Sequence, residues 1–236
     1  LEVACAAQRR RDPAEKEVIF VCVWVEANVP FTAEYVYRLR AMVQRHVWWA
    51  PRFVCLTDRP EQLAGVETVR IPKPSNMFGW WSKLELFNPA HKWSERGEKV
   101  MYLDLDVLIV RSLLPLINIS VASSLTLIPH EGTFYGGNGK RVVHRYNSSV
   151  MTFVSGMHPE LYTDWTRDVA IRLWGDQDWI GEKLPNQRTM PASWFPRIST
   201  IGADESKAAG AKIILCKSPK NHVAARLWPW VEKAWG

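Results

Sequence analysis

Along the chain, stretches that are apolar almost without a break alternate with stretches in which apolar side chains recur every three or four residues. Val18-Ile19-Phe20-Val21-Cys22-Val23-Trp24-Val25 is a β-branched and aromatic run of the kind found in strands covered on both faces. Tyr35, Val36, Leu39, Met42, Val43 and Val47 then follow at helical spacing and predict an amphipathic helix opening near Thr32. Arg52-Phe53-Val54-Cys55-Leu56-Thr57 reads as a second strand, closed by Asp58-Arg59-Pro60. Strand, helix, strand predicts a right-handed crossover and a parallel sheet. Residues 1–16, polar and carrying Arg9-Arg10-Arg11, read as a flexible leader, and 17–236 as a single domain.

Further along, Ser82 and Glu85 have capping-box spacing at the head of a helix that Pro89 limits, which puts Lys83 in the first turn. Lys99-Val100-Met101-Tyr102-Leu103 runs into Asp104-Leu105-Asp106, after which Val107-Leu108-Ile109-Val110 resumes the apolar run. Leu125–Ile128 and Ser149–Val154 look like strands around the Gly-rich loop 135–139. Leu161, Trp165, Val169 and Leu173 predict one helix from about Pro159, capped by Gly175, and Lys212–Cys216 predicts a last strand.

The composition excludes several classes. With 236 residues, 47% of them apolar and 13 Trp, the chain has the material of a folded domain. No apolar stretch reaches the ~18–20 residues of a membrane span. The four cysteines, Cys5, Cys22, Cys55 and Cys216, form no CxxC pair and predict reduced, packed thiols in a cytoplasmic protein. Of the net charge of +6, part lies at the C-terminus, where Lys212, Lys217, Lys220, Arg226 and Lys233 face Glu232. This segment reads either as a solvated face or as one that meets phosphates or an anionic membrane surface. Nucleic acid is not expected as a partner, because neither an RNP-type motif nor zinc-finger spacing is present. His46, His91, His130, His144, His158 and His222 show no zinc-binding spacing, and P-loop and Gly-x-Ser-x-Gly motifs are missing.

The informative chemistry is the acidic pair. An ionised carboxylate inside an apolar strand costs several kcal/mol unless a cation compensates it. On an extended backbone Asp104 and Asp106 would point to one side about 7 Å apart and could share a hard divalent ion, leaving positions for phosphate oxygens. Lys83 reads as a second anion-binding element, or as an exposed lysine. Asp176 reads as a catalytic carboxylate, or as the N-cap of a helix over Gln177–Leu184. Trp48-Trp49 and Trp80-Trp81 read as core or as sugar-stacking pairs, and His130 as a surface residue or one at a pocket mouth.

The order Cys55-Leu56-Thr57-Asp58, Gly79-Trp80-Trp81-Ser82-Lys83-Leu84-Glu85-Leu86-Phe87, Tyr102-Leu103-Asp104-Leu105-Asp106, Tyr146-Asn147-Ser148-Ser149-Val150-Met151 and Asp176-Gln177-Asp178 resembles GT-A glycosyltransferases, particularly the glycogenin and lipopolysaccharide-galactosyltransferase (family 8-like) group. The resemblance spans about residues 18–222. It implies a Rossmann-like α/β/α sandwich with a mixed, mainly parallel sheet, and transfer of a sugar, with retention, from a nucleotide-diphosphate sugar (a UDP-sugar before other donors) to a sugar, lipid or protein acceptor. It further implies Mn²⁺ or Mg²⁺ held by Asp104 and Asp106 across Leu105. Donor contacts would come from Lys83, Asp58 and the strand end at Val23 and Trp24. Asn147, Asp176, Gln177 and Asp178 would lie on the sugar and acceptor side. The family's third metal ligand is a histidine in a His-x-Gly-x-x-Lys-Pro type segment, and this chain has Cys216 or Lys217 at that place. Either His222 substitutes, or metal binding is weakened, or Lys217 and Lys220 neutralise the diphosphate themselves. Two other readings remain: a nucleotide-sugar-binding module without catalysis, and a sugar-phosphate nucleotidyltransferase. The second wants a Gly-rich loop after the first strand, where this chain has Val25-Glu26-Ala27-Asn28-Val29-Pro30.

Overall fold

In the computed structural model of the chain, Val18–Trp24 forms β1 and is buried along its whole length. Its side chains alternate between two cores, as a period of two requires. Val18, Phe20, Cys22 and Trp24 pack with α1 (Ala33–His46), while Ile19, Val21 and Val23 pack with Trp81, Leu84 and Trp179 on the other face. The same division runs through β2 (Arg52–Thr57) and β4 (Lys99–Leu103), and the result is a three-layer α/β/α sandwich. The structure describes residues 18–26, 31–72, 77–119, 124–135, 141–216 and 219–236, with the backbone alone at 131–135, 141–144, 219, 220 and 222. The leader expected at 1–16 and the loop at 136–139 lie outside the described residues.

The central sheet has the order β3-β2-β1-β4-β7-β6-β8, with β3 at Glu67–Arg70, β6 at Thr126–Tyr135, β7 at Arg141–Val154 and β8 at Arg188–Thr189. β3, β2, β1 and β4 run parallel, β7 is antiparallel to both β4 and β6, and β8 joins β6 in parallel. This is the mixed, mainly parallel sheet expected. β5 (Val107–Ile109) leaves it and pairs antiparallel with β9 (Ile213–Leu215). Among the described residues the other α-helices are α2 (Leu114–Ile119), α3 (Glu160–Thr163), α4 (Arg167–Arg172), α5 (Asp176–Lys183), α6 (Ile198–Ile201), α7 (Pro219–Ala225) and α8 (Pro229–Trp235). α8 closes the α1 face: Arg45 donates to the carbonyls of Ala234 at 2.7 Å and Gly236 at 2.9 Å. Part of the basic excess at this end is neutralised, since Arg226 Nε lies 2.9 Å from Glu232.

Three local expectations are corrected. The helix carrying Lys83 is a 3₁₀ helix over Gly79–Phe87, so it starts before Ser82. There is no capping box. The Ser82 hydroxyl is buried without a partner, and Glu85 instead takes Asn88 Nδ2 at 2.9 Å and His91 Nε2 at 2.8 Å. The helix expected from Pro159 is two helices, α3 and α4, broken at Asp164-Trp165-Thr166. Thr and Asp compete with helical bonding and allow the break, while Leu161, Trp165 and Val169 stay buried across it. Gly175 begins α5 as its N-cap and does not end the preceding helix.

Candidate active site

Because β1, β2 and β4 are parallel, their C-terminal ends share one edge of the sheet, where open α/β sheets place ligands. Val21 pairs with Tyr102, so Asp104, two residues on, comes level with Val23. Asp104 follows the last residue of β4, and Asp106 precedes the first residue of β5. The acidic pair therefore occupies a turn, and the extended geometry expected of it is corrected. The turn exists because Leu103 and Val107 belong to different sheets. Leu105, between the two acids, is buried and anchors it.

Lys83 is the hub of this edge. Its Nζ lies 3.1 Å from Asp104 Oδ1 and 3.2 Å from Asp176 Oδ2, and it donates to Ser148 Oγ at 3.0 Å. Ser148 in turn donates to Asp176 Oδ2 at 2.5 Å, and the Tyr102 hydroxyl donates to Asp104 Oδ1 at 2.5 Å. Burial works against the Lys83 charge, but Asp104 and Asp176 outweigh it and hold the ammonium above its ordinary range. Lys83 is thus neither exposed nor in a first turn. Its place is set by two carboxylates from distant parts of the chain, which a single helix could not supply.

Asp106 is in a different state. It is 8% exposed and makes no ion pair among the described residues, its carboxylate being bonded by its own backbone N–H. Its carboxyl is pushed up to about 7, first by burial and then by the charge of Asp104. A buried carboxylate that feels the Lys83 charge only at a distance, without an ion-pair partner among the described residues, beside a second, partly exposed carboxylate fits Mn²⁺ or Mg²⁺, hard ions that accept two protein oxygens and keep positions for water and phosphate. A third donor is not supplied by Cys216. It follows β9, next to Asp106, but its buried thiol is pushed up by desolvation and by the Asp106 charge, and sulfur is a soft ligand. Among the described residues no group of three or more His, Cys, Asp or Glu gathers as a metal centre. Lys217 lies outside the described residues, and Lys220 and His222 lie on α7 with their side chains outside them.

On the expected nucleoside side, Trp24 and Val23 are packed into opposite cores. The Trp24 indole donates to the Phe31 carbonyl at 3.0 Å, and Arg59 lies 4.3 Å over its ring. Only the backbone of these two residues can meet a ligand. Asp58 receives the Glu26 N–H on both carboxylate oxygens, at 3.1 and 3.2 Å, and ties the end of β1 to that of β2.

On the other side, Asp176 is the first helical residue of α5, not its cap, and its carboxylate turns to Ser148 and Lys83. Asp178 is buried in the same turn and Gln177 is half-buried. Asn147 accepts the Ser149 N–H at 2.9 Å, and it is its neighbour Ser148 that enters the Lys83 cluster. Ser148 and Tyr102 are the residues that sequence reasoning missed. Both stand inside the quoted motifs, Tyr102 two residues before Asp104 and Ser148 next to Asn147, but neither was given a role. The tryptophan pairs each divide: Trp81 is buried while Trp80 is 56% exposed, and Trp48 is exposed beside half-buried Trp49. His130 is half-buried, 3.2 Å from Arg197.

No protein-family model matches the sequence, and no curated protein matches it. Solved structures do. The galactosyltransferase LgtC, in complex with donor and acceptor sugar analogs, is similar at a TM-score of 0.63 and 14% identity, over 92% of this chain and 95% of that one. Glycosyltransferase GlyE of Streptococcus pneumoniae TIGR4 is similar at 0.55 and 14%, over 86% of this chain and 55% of that one. Mouse xyloside xylosyltransferase 1 is similar at 0.50 and 12%, over 86% and 99%. Sheet order, layer structure and these likenesses agree: the chain has the GT-A fold of nucleotide-sugar glycosyltransferases.

Proposed function

We propose that the protein is a metal-dependent, retaining glycosyltransferase that moves a sugar from a nucleotide-diphosphate sugar to an acceptor. The observation that carries this reading is the buried Lys83 ammonium, held between Asp104 of the acidic turn and Asp176 of α5 at the C-terminal edge of a GT-A sheet. Breaking a glycosyl-phosphate bond builds negative charge on the departing diphosphate and positive character on the anomeric carbon. Bound by Asp104 and Asp106, Mn²⁺ or Mg²⁺ would neutralise the diphosphate charge as it develops. Lys83 and Tyr102 both bond Asp104 Oδ1 and would hold its carboxylate in place for such a site. Asp176 would lie on the sugar side, with Ser148 and Lys83 restricting its rotamer. Gln177 and Asp178 follow on the same turn and would orient donor and acceptor.

The experiment is a thermal-shift titration with UDP-sugars, with Mn²⁺ and with chelator, paired with an assay of transfer and of donor hydrolysis. Ligands that bind the native state raise its stability by mass action. A manganese-dependent shift that Asp106→Ala abolishes, together with turnover, supports the reading. Equal shifts in Asp106→Ala and the parent refute the metal site, and binding without transfer or hydrolysis makes the protein a binding module.

A further inference from the structure

In a 3₁₀ helix residues three apart lie on one face, so Trp80 stands one turn from Lys83 on the same side of the Gly79–Phe87 helix. It also packs on Gly175: a Cβ there would come within 3.2 Å of the Trp80 ring nitrogen. Trp80 therefore covers the residue before Asp176, yet 56% of it remains exposed. Two residues before it, Phe78, 52% exposed, opens a cleft of about 580 Å³ whose other walls include Tyr162, Trp165, Thr166 and Arg167. Trp165 is rigidly backed, its ring 5.8 Å from that of buried Trp81.

The lining is aromatic on the walls and polar at the rim. Thr166 is the N-cap of α4 but makes no cap hydrogen bond with its side chain, and Arg167 makes no ion pair among the described residues. The exposed Phe78 ring and the half-buried Tyr162 ring, beside a hydroxyl and a guanidinium that make no hydrogen bond or ion pair among the described residues, match a pyranose, which presents C–H groups on its face and hydroxyls around its edge. An alkyl chain would offer exposed Thr166 and Arg167 no acceptor of its own. From Phe78 to Lys83 the helix advances about 10 Å at ~2 Å per residue, a span that a single sugar ring does not bridge.

We propose that the acceptor is an oligosaccharide whose sugars beyond the reacting one lie across Trp80 and end in the Phe78–Trp165 cleft. This rests on the transferase reading for the direction of the chain, while the cleft as a carbohydrate site can be tested separately. The full chain is applied to an array of defined glycans of one to six sugars, without nucleotide, alongside Phe78→Ala and Arg167→Ala. The thermal shift with UDP and Mn²⁺ is measured on the same three proteins. The expected result is retention of particular glycans of two or more sugars, weakened at least fivefold in both variants, with the UDP shift the same in all three. No retained glycan, retention undiminished in both variants, or retention displaced by UDP alone overturns the proposal. Retention that needs Phe78 and Arg167 but comes without any UDP shift keeps the cleft and removes the transferase reading.

Discussion

Replacing Lys83 with methionine keeps most of the side-chain volume and deletes the charge. What remains is Asp176, whose side chain is 7% exposed, and Asp104, at 23%, facing each other across a neutral thioether. Removing one partner of a buried ion pair typically costs ~3–5 kcal/mol, because the stranded charge loses its compensation. Here the lower end applies, because Asp104 reaches water. A loss of about 3 kcal/mol in a domain of this size corresponds to a fall in Tm of roughly 6–12 °C. The pH sense is definite. A lysine whose pKa is raised above its ordinary 10.5 contributes fully below that value and loses its contribution as pH rises through the raised one, so the whole effect is present at pH 7. The assay is thermal unfolding by circular dichroism of the parent, Lys83→Met, Asp176→Asn and the double variant. Neutralising Asp176 in the Lys83→Met background should restore stability, with a coupling above ~1 kcal/mol. A Tm loss under about 2 °C in Lys83→Met, or single effects that simply add, would refute the account of Lys83 as the hub.

Asp106 carries an opposite signature. Its folded pKa is about 7 against an ordinary 3.8, so the native state binds the proton more tightly than the unfolded chain, and stability falls as pH climbs through that interval. With divalent ions chelated, Asp106→Asn should melt above the parent at pH 8 and together with it at pH 4, and scanning calorimetry showing no pH-dependent gap would sink this assignment. Gly175 has extended backbone at φ −169°, so alanine meets no backbone strain, and its Cβ pushes only on Trp80, which is free to shift outward. Gly175→Ala should change stability by less than ~0.5 kcal/mol while raising the acceptor KM severalfold, and a Tm drop of several degrees would show Trp80 to be structural.

Much of this was legible in one dimension because it depends on local patterning. The unbroken apolar run of β1, the helical period of α1 and the acidic pair between two apolar segments each reflect what lies above and below a single stretch of chain. The order of these pieces carried the resemblance to the GT-A group. Reading was least successful where one local pattern serves two structures. The four-residue spacing of Leu161, Trp165 and Val169 is met equally by one helix and by two helices that share a buried side. The Ser82–Glu85 spacing matches a capping box that the 3₁₀ helix, begun at Gly79, has already passed.

The residues by themselves determined the parallel sheet, the buried strands and which carboxylates would need compensation, since the cost of burying a charge or an amide follows from immediate surroundings. Tertiary structure decided who compensates whom. Lys83, Tyr102 with Asp104, Ser148 and Asp176 lie on four different segments and meet only because β7 returns antiparallel beside β4 and α5 packs against it. Electrostatic pairing acts through space, and separation along the chain does not encode it.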